Sequence, residues 1–304
     1  MSLYNKYRPK SLSEMIGNQD VLEGLQTTLT KENPPHAYLF HGPSGCGKTT
    51  LARIAASTLG CHDDDFREID SADFRGIDTI REIRRQSGFQ ALHGQRRAWL
   101  LDEAHKISGD GQAALLKALE DPPEHVYYFL ATTDPQKLLD TIRGRCATYK
   151  VSLLTELQMK RILRTVVKAE GDELEKEVYD QIIASAEGRP RNALQILETV
   201  LDTPAEFRLK AAKRTEEIAT KTIDLCRALI GRKPWSEVRL ILAGLKSEDP
   251  ESIRQSVLGY CSAVLLNGDN NQAAATMEAF ANPTFNSGFP GVVYSAYCVI
   301  MASD

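Results

Sequence analysis

The sequence has no long apolar run, no paired cysteines and no large excess of charge of one sign. None of its apolar stretches approaches the roughly 18 residues that a membrane helix needs, and the first residues lack the apolar core of a signal peptide. The six cysteines form no C-x-x-C pair, which argues against a zinc site or a disulfide framework and favours a reducing cytoplasm. We therefore expect no membrane contact and no zinc.

The charge balance limits how this chain could contact nucleic acid. Lys and Arg number 37 against 41 Asp and Glu, which gives a net charge of −4. Any such contact must therefore come from a local basic surface rather than from the chain as a whole. Apolar residues make up 42% and charged residues 26%, as in an ordinary soluble globular protein, and 304 residues suffice for two or three domains.

A glycine-rich segment at residues 42–49 fits the pattern G-x-x-x-x-G-K-[ST]. Its glycines let the backbone bend so that successive N–H groups point inward and bind phosphate. Lys48 adds a positive charge, and the Thr49 hydroxyl can hold Mg²⁺. An apolar strand pattern at 37–41 precedes the segment and a helical pattern at 50–56 follows it, which is the context that this motif requires. The sequence therefore predicts a site for the phosphates of a nucleoside triphosphate.

A second motif is an apolar strand that ends in two adjacent acids, Asp102 and Glu103. If this strand lies beside the loop strand, Asp102 can organise Mg²⁺ and its waters, and Glu103 can orient or deprotonate an attacking water. Residues 102–105 also spell the acid box of one helicase group, but such helicases need a second motor domain of similar size. At the end of the next strand, a hydroxyl in residues 130–134 could sense a γ-phosphate, although polar residues are common at strand ends.

Strand and helix patterns alternate over the first half of the chain and then give way to helices alone. Strands are predicted near 66–70, 98–102, 126–131 and 147–151, with helices such as 77–86 and 111–120 between them. This alternation predicts a parallel sheet covered on both faces. We expect an α/β domain at 1–151, a small helical domain at 152–203 and a packed helical module at 204–304.

Several segments together resemble the ATPase subunits of AAA+ sliding-clamp loaders, a family that includes the bacterial gamma and tau subunits, the small subunits of replication factor C and phage clamp-loader subunits. The resemblance is close over residues 1–200 and rests only on length and helical character beyond them. It implies a P-loop AAA+ domain with a five-stranded parallel sheet, then a helical lid and a helical collar for oligomerisation. The segments that carry it are residues 6–19, 71–78, 115–123, 131–138, 144–146 and 188–194.

The resemblance implies a role for individual residues around ATP and Mg²⁺. Adenine and ribose would be lined by Tyr7, Arg8, Pro9 and Ile16. The phosphates would be bound by Gly45, Cys46, Gly47, Lys48, Thr49 and Thr50, with Asp102 completing the metal shell. The catalytic set would be Glu103 as the base, Lys48, Thr133 as the first sensor, Arg191 as the second sensor on the lid, and Arg145 as an arginine finger. Arg145 would act on ATP held by the neighbouring subunit; otherwise it is an ordinary surface arginine.

The resemblance also implies partners: a ring-shaped sliding clamp, primer-template DNA and other loader subunits in an assembly that is usually pentameric. Hydrolysis would be stimulated by DNA and by the clamp. DNA would contact Arg75, Gly76, Ile77, Arg81, Arg84 and Arg85. From charge alone this basic helix is equally well a solvated face. Phe74, Phe89 and Leu92 could insert into the clamp, or each could belong to the core.

Two departures from the family pattern and two alternative functions stay open. Cys61 stands alone where the bacterial relatives carry a cysteine zinc module, and Gly144 replaces the usual serine before the finger. The chain could be another AAA+ DNA-remodelling ATPase, such as a branch-migration motor or a helicase loader, or an inactive structural subunit. The Pro-Pro motif at 122–123 argues against the first, and the loop lysine, the acids and the finger argue against the second. We expect a cytoplasmic location, either associated with the nucleoid or, if the protein is encoded by a phage, in the cytoplasm of the host.

Overall fold

The computed structural model describes residues 1–69, 77–246, 248–284 and 287–301, with the backbone alone for 214–220. Within these ranges the chain divides into two compact units, Met1–Leu209 and Lys210–Asp304, and each is considered by itself. The boundaries at 151/152 and 203/204 stay predictions, since this division does not separate the α/β region from the helices that follow it.

The first unit alternates strands with helices up to residue 150 and is helical after it. Its strands are β1 (Ala37–His41), β2 (Cys61–Ile69), β3 (Arg96–Leu101), β4 (Val126–Thr132) and β5 (Ala147–Lys150). Its helices are α1 (Leu3–Lys6), α2 (Gln19–Leu29), α3 (Lys48–Thr58), α4 (Ile77–Ser87), α5 (Gly109–Glu120), α6 (Asp140–Arg143), α7 (Glu156–Ala169), α8 (Lys176–Ala186) and α9 (Pro190–Leu201). The predicted elements are thus present, with ends that differ by a few residues.

The strands of the described residues form one five-stranded sheet in the order β2-β3-β4-β1-β5, and every neighbouring pair is parallel. The predicted parallel sheet is therefore confirmed. Strand β4, which ends at Thr132, lies between β1 and β3, so the strand that ends in the acids is one position away from the loop strand rather than directly beside it. Because the strands are parallel, the loops after β1, β3 and β4 all leave from the same edge of the sheet, where ligands of open α/β sheets bind.

Side chains alternate between the two faces of the sheet, and each face is covered by a pair of helices. On one face Tyr38 and Phe40 of β1 pack in a cluster with the buried leucines of α2 and α3. On the other face Leu39 of β1 packs in a cluster with residues of α4 and α5. All seven residues of β4 are buried, as expected of a central strand of a parallel sheet.

Strand β2 begins earlier than the sequence indicates. The pattern predicts a strand from Phe66, but β2 starts at Cys61 and runs through three aspartates, with a register shift between Cys61 and Phe66. Asp65 explains why a polar stretch can lie there: its buried carboxylate accepts hydrogen bonds from the backbone N–H groups of residues 92–94, at 2.6, 2.9 and 2.8 Å. Burial opposes the charge, but these three donors lower the pKa of Asp65.

Helices α7, α8 and α9 form the helical part of the first unit. A capping box starts α7, since the Thr155 side chain accepts a hydrogen bond from the backbone N–H of Gln158 and the Gln158 side chain accepts one from Thr155 N–H. Pro190 is the first residue of α9, where its fixed φ favours helix initiation and its missing N–H is not needed. Arg208 closes the region by an ion pair with Asp172, 2.6 Å between Nη2 and Oδ2.

The second unit is helical throughout its described residues. It comprises α10 (Arg208–Ile230), most of which lies in this unit, α11 (Trp235–Ala243), α12 (Pro250–Leu266), α13 (Asn271–Ala279) and α14 (Gly288–Met301). These helices share one apolar core. Arg254 is buried in it and is neutralised by Glu251, whose carboxylate also accepts hydrogen bonds from Thr284. In the parts of the chain that the structure describes, we find no helix with the length and hydropathy needed to cross a membrane.

Candidate nucleotide-binding and hydrolysis site

A cleft at the carboxyl edge of the sheet brings together four parts of the first unit that are far apart in sequence. They are the N-terminal segment, the glycine-rich loop with the start of α3, the acids after β3, and the start of α9. The residues lining the cleft are Tyr4, Tyr7, Arg8, Pro9, Ser44, Gly45, Gly47, Lys48, Thr49, Thr50, Asp102, Glu103, Pro190, Arg191 and Leu194. Most of the predicted binding residues therefore lie in one place.

The glycine-rich loop has the backbone that phosphate binding requires. Gly42, Gly45 and Gly47 have backbone φ values of +148°, +73° and +107°, which residues other than glycine rarely adopt. Helix α3 begins at Lys48, so its N-terminal N–H groups and the positive end of its dipole face the cleft. The Lys48 amine donates to the carbonyl oxygens of Gly42, at 2.9 Å, and Pro43, at 2.8 Å. These bonds hold the charge over the loop.

Thr49 and Asp102 lie close together although β4 separates the strands that lead to them. The Thr49 hydroxyl donates to Asp102 Oδ2 at 2.9 Å, and the backbone N–H of Glu103 donates to Asp102 Oδ1 at 2.9 Å. A hydroxyl and a carboxylate are oxygen donors of the kind that Mg²⁺ takes, together with phosphate oxygens and water. The pair therefore fits a Mg²⁺ site that is completed by a nucleotide, and Glu103 lines the cleft beside it.

The N-terminal segment is fixed to the helices that follow the sheet. The Tyr7 hydroxyl donates to Glu170 Oε1 at 2.5 Å, and the Lys6 amine donates to the same oxygen at 2.8 Å. The hydrogen bond from Lys6, followed by the one from Tyr7, lowers the pKa of Glu170. At the start of α1 the backbone N–H of Leu3 donates to Glu198 Oε1 at 3.2 Å. The wall of the cleft that carries Tyr7, Arg8 and Pro9 thus depends on α7 and α9 for its position.

Positive charge is concentrated on the walls of the cleft. Burial and then the nearby guanidinium of Arg53 lower the pKa of Arg8, and Arg191 acts in the same direction. Arg191 lies in the first turn of α9, with its guanidinium 5.8 Å from the centre of the Tyr4 ring. A methyl group built on Gly45 would lie 3.5 Å from Arg191 Cβ, so the loop and α9 are in contact range. Such a surface suits a polyanion.

Four predicted site residues do not line the cleft. Ile16 is half-buried beyond its edge, and Cys46 is buried in the core with its Sγ 3.9 Å from Val151 O, as a small packed residue. Thr133 follows β4 and is exposed, whereas the buried hydroxyl at this strand end is that of Thr132. Arg145 is exposed after α6.

Arg145 is held on the surface of its own chain by two contacts. Its guanidinium donates to Glu120 Oε1 at 2.7 Å and to Thr141 O at 3.0 Å. Glu120 is the last residue of α5, two residues before the first proline of the Pro-Pro motif. Arg145 therefore does not line the cleft of its own chain, and its role as a finger stays a prediction.

The predicted DNA-binding residues that the structure describes lie on or beside α4. Arg81 and Arg84 line a groove with Ile77 and three small or polar residues of α5, and Lys117 of α5 adds a third cation. Arg81 pairs with Asp78 at 3.1 Å, and Arg85 pairs with Glu82 through two hydrogen bonds. Outside the described residues lie Arg75, Gly76 and Phe74. Phe89 and Leu92 are 57% and 67% exposed, which excludes their alternative role in the core.

Three features of the site escaped the sequence analysis. Tyr4 lines the cleft one helical turn before Tyr7, a spacing that the sequence does show. Glu170 holds Tyr7 from 163 residues away, and only the fold reveals this. The third feature is a contact that joins Glu103 to Thr132 through His105.

The chain is similar to known subunits of DNA polymerase III. Residues 65–155 match the family model described as DNA polymerase III, delta subunit. The DNA polymerase III subunit gamma/tau of Mycobacterium tuberculosis is 36% identical over 229 residues, 68% of this chain and 40% of that protein. The subunit tau of Escherichia coli is 32% identical over 220 residues, 66% of this chain and 34% of that protein. This chain thus spans less than half the length of either relative.

Solved structures support the fold. The Holliday junction branch migration motor RuvB of Thermotoga maritima superposes with a TM-score of 0.59 at 23% identity, over 74% of this chain and 79% of that one. A mutant of the same motor gives 0.61 over 80% of this chain and 86% of that one. Identity this low speaks for the AAA+ fold and not for the activity. With the sheet order, the loop and acids at one edge, and the match to gamma and tau subunits over two thirds of its length, the chain belongs to the AAA+ clamp-loader ATPase family.

Proposed function

We propose that this chain binds ATP and Mg²⁺ in the cleft and hydrolyses the ATP as one subunit of a machine that opens a ring-shaped clamp and loads it onto primer-template DNA. The observation that carries the proposal is the hydrogen bond between Thr49 and Asp102, with Lys48 and Glu103 on either side of it. One cleft then holds two oxygen ligands for Mg²⁺, a lysine that can bind phosphate and a carboxylate that can activate water. The names of the relatives supply the link to DNA replication.

The residues of the cleft divide the chemistry among them. The loop N–H groups and Lys48 bind the phosphates, and Thr49 and Asp102 hold Mg²⁺, which supplies charge neutralisation at the phosphates when bound. Glu103 orients or deprotonates the attacking water. Arg191 reaches the phosphates from α9, so that closure of the helical region depends on the nucleotide. Tyr7, Arg8 and Pro9 form the wall for the base and the ribose.

Arg145 completes the site of the neighbouring subunit in this proposal. It does not line the cleft of its own chain, and its guanidinium forms an ion pair with Glu120. A guanidinium that reaches the transferring phosphate stabilises its charge and accelerates hydrolysis about 10³- to 10⁵-fold in related nucleotide hydrolases. Hydrolysis then requires a correctly placed neighbour, and loss of the γ-phosphate weakens the contact between subunits.

The test is hydrolysis by mixed assemblies. Neither Glu103→Gln nor Arg145→Ala should hydrolyse ATP alone, but chains of both kinds co-expressed in one assembly should recover about a quarter of the unchanged rate, because that share of interfaces joins an intact cleft to an intact finger. A matched control is Arg143→Ala, which removes a half-buried arginine two residues before Arg145. No recovery in the mixture would show that Arg145 does not act across an interface.

A second arm tests the clamp and the DNA. Glu103→Gln with ATP, or the unchanged chain with a non-hydrolysable analogue, should bind a sliding clamp, and primed DNA should then raise the hydrolysis rate of the unchanged assembly. A protein that hydrolyses ATP but binds no clamp in either state would be another kind of AAA+ DNA-remodelling ATPase.

A further inference from the structure

His105 contacts Glu103 and does not itself line the cleft. It belongs to a short 3-10 turn at Ala104–Lys106, and its side chain is only 13% exposed. Its Nε2 atom is 3.5 Å from Glu103 Oε2, and its Nδ1 atom is 3.0 Å from Thr132 Oγ1. Glu103 lines the cleft and His105 does not. The imidazole therefore contacts a carboxylate of the cleft from a position outside the cleft lining.

The hydrogen bonds around Thr132 are compatible with a neutral His105 that carries its proton on Nε2. The backbone N–H of Asp134 donates to Thr132 Oγ1 at 3.0 Å, so the threonine hydroxyl has its own proton left to donate to Nδ1 of the imidazole. A neutral histidine that accepts at Nδ1 carries its proton on Nε2. That N–H then points to the Glu103 carboxylate, which it can hold when the 3.5 Å separation shortens to hydrogen-bonding distance.

Thr132 also contacts the phosphate-binding loop. Its carbonyl oxygen accepts a hydrogen bond at 3.2 Å from the backbone N–H of Gly42, the first residue of the loop, and Thr132 pairs with His41 in the sheet. The hydroxyl and the carbonyl of one buried residue therefore face His105 and the loop, respectively. Thr132 therefore connects the loop to His105, which in turn contacts the Glu103 carboxylate.

Glu103 has few other constraints. Its backbone has a φ of +52°, in the left-handed region, and its side chain is 30% exposed. In the described part of the chain, the carboxylate makes no hydrogen bond or ion pair other than the contact with His105. An exposed carboxylate on a flexible side chain needs such a support, because a catalytic base must stand within hydrogen-bonding reach of the water that it activates.

We propose that His105 is the positioning residue of Glu103, and that Thr132 sets the orientation of His105 according to the state of the phosphate-binding loop. This inference rests on the proposed hydrolysis of ATP, since it concerns the geometry of the base in that reaction. His105 itself does not touch the nucleotide. Its removal therefore acts on the rate of hydrolysis and leaves nucleotide binding intact.

The experiment compares five variants of the full chain in its assembled state. They are His105→Phe, His105→Gln, Thr132→Val, the double variant His105→Phe with Thr132→Val and, as the control, Thr148→Val. Phe keeps a ring without nitrogen atoms, and Gln keeps a donor and an acceptor. Thr148 is an exposed threonine of β5 whose hydroxyl donates to Cys146 O. For each variant we would measure kcat, KM, the Kd of a fluorescent ATP analogue and the Tm.

His105→Phe and Thr132→Val should lower kcat about 10- to 100-fold, the loss expected when a catalytic group is misplaced by about 1 Å. The Kd should change by less than about twofold, and His105→Gln should retain most of the activity. If His105 acts through Thr132, the double variant His105→Phe with Thr132→Val should lose no more kcat than the more affected single variant. Thr148→Val should behave as the unchanged chain.

Three results would overturn the inference: an unchanged kcat in His105→Phe, losses of kcat that add in the double variant, or a Kd that rises as much as kcat falls. A low Tm in His105→Phe would not remove the test, because Thr132→Val leaves the imidazole in place and must show the same split between kcat and Kd. If the unchanged assembly hydrolyses no ATP, the proposed function fails and the inference with it. Normal hydrolysis with unaffected variants refutes the inference alone.

Discussion

Gly42→Ala should be the most damaging of the small substitutions in the phosphate-binding loop. A methyl group built on Gly42 would lie 2.0 Å from the carbonyl oxygen of Val151 and 3.0 Å from its carbonyl carbon. Both are backbone atoms, so no side chain can rotate away. The backbone of Gly42 also has a φ of +148°. Either the loop or the end of β5 must move to accommodate the methyl group.

The magnitude follows from these two costs. A steric clash in a packed region costs about 1–3 kcal/mol, and a non-glycine residue in an unfavourable backbone conformation costs about 1 kcal/mol or more. We expect Gly42→Ala to lower the free energy of unfolding by about 3 kcal/mol. Gly60 is the matched control, since it has a φ of +88° and nothing within 4 Å of a methyl group. Gly60→Ala should cost only the backbone part, about 1 kcal/mol.

The assay is urea unfolding followed by the fluorescence of Trp99. The chain has two tryptophans, Trp99 buried in the first unit and Trp235 in the second, so both variants are made with Trp235→Phe. A difference of about 2 kcal/mol corresponds to midpoints about 1 M urea apart for a unit of this size. Gly42→Ala should also weaken nucleotide binding, and Gly60→Ala should not. Equal midpoints for the two variants would refute the clash.

Two further predictions concern the wall and the basic groove of the first unit. In the folded chain Glu170 stays ionised at pH values where it would be protonated in the unfolded chain, because its pKa is lowered. Its contribution to the free energy of unfolding is therefore present near neutral pH and is lost as the pH falls through the lowered pKa. Glu170→Gln should therefore lower the Tm and weaken ATP binding through Tyr7 at neutral pH, with a Tm difference that shrinks from about pH 6 towards pH 3; a constant difference would contradict this. Arg84→Ala should lower the slope of DNA affinity against salt concentration by about one phosphate contact and should reduce DNA-stimulated hydrolysis. Arg85→Ala should have a smaller effect, because the charge of Arg85 is paired with Glu82. Filter binding across salt concentrations compares the two variants, and an equal loss of DNA affinity in both would contradict the distinction.

Much of the sheet and of the cleft could be predicted from sequence because the signals are local. The strand patterns around residues 37–41 and 126–131 consist of apolar residues bounded by turns, and the loop after Gly42 has a fixed spacing of glycines. Strand β2 was predicted too short because Asp65 looks like a loop residue until the backbone N–H groups of residues 92–94 are known to meet it. Such a contact depends on the tertiary fold and leaves no local pattern.

The choice between adjacent residues was the weak point of the site prediction. Thr132 and Thr133 are chemically identical, and the sequence alone does not say at which of them β4 ends. The structure places Thr132 as the last residue of the strand, buried against His105, and Thr133 outside the cleft. Side chains alternate along a strand, so a shift of one residue reverses the side on which a hydroxyl lies. The role of Thr133 as a sensor stays a prediction.

The distribution of charge in the cleft links nucleotide binding to the position of α9. Lys48 lies at the loop, Arg191 lies on α9, and Arg8 of the N-terminal segment has a pKa lowered first by burial and then by the guanidinium groups of Arg53 and Arg191. Repulsion between Arg8 and Arg191 is present before any anion binds, and a triphosphate that contacts both walls would offset it. The gain is largest when Gly45 and α9 are as close as they are here. A nucleotide that loses its terminal phosphate loses part of that gain, so the contact between the loop and α9 should weaken with hydrolysis. Arg191→Ala should accordingly bind ATP and ADP with nearly equal affinity, which competition binding measures, and a preference for ATP equal to that of the unchanged chain would contradict this account.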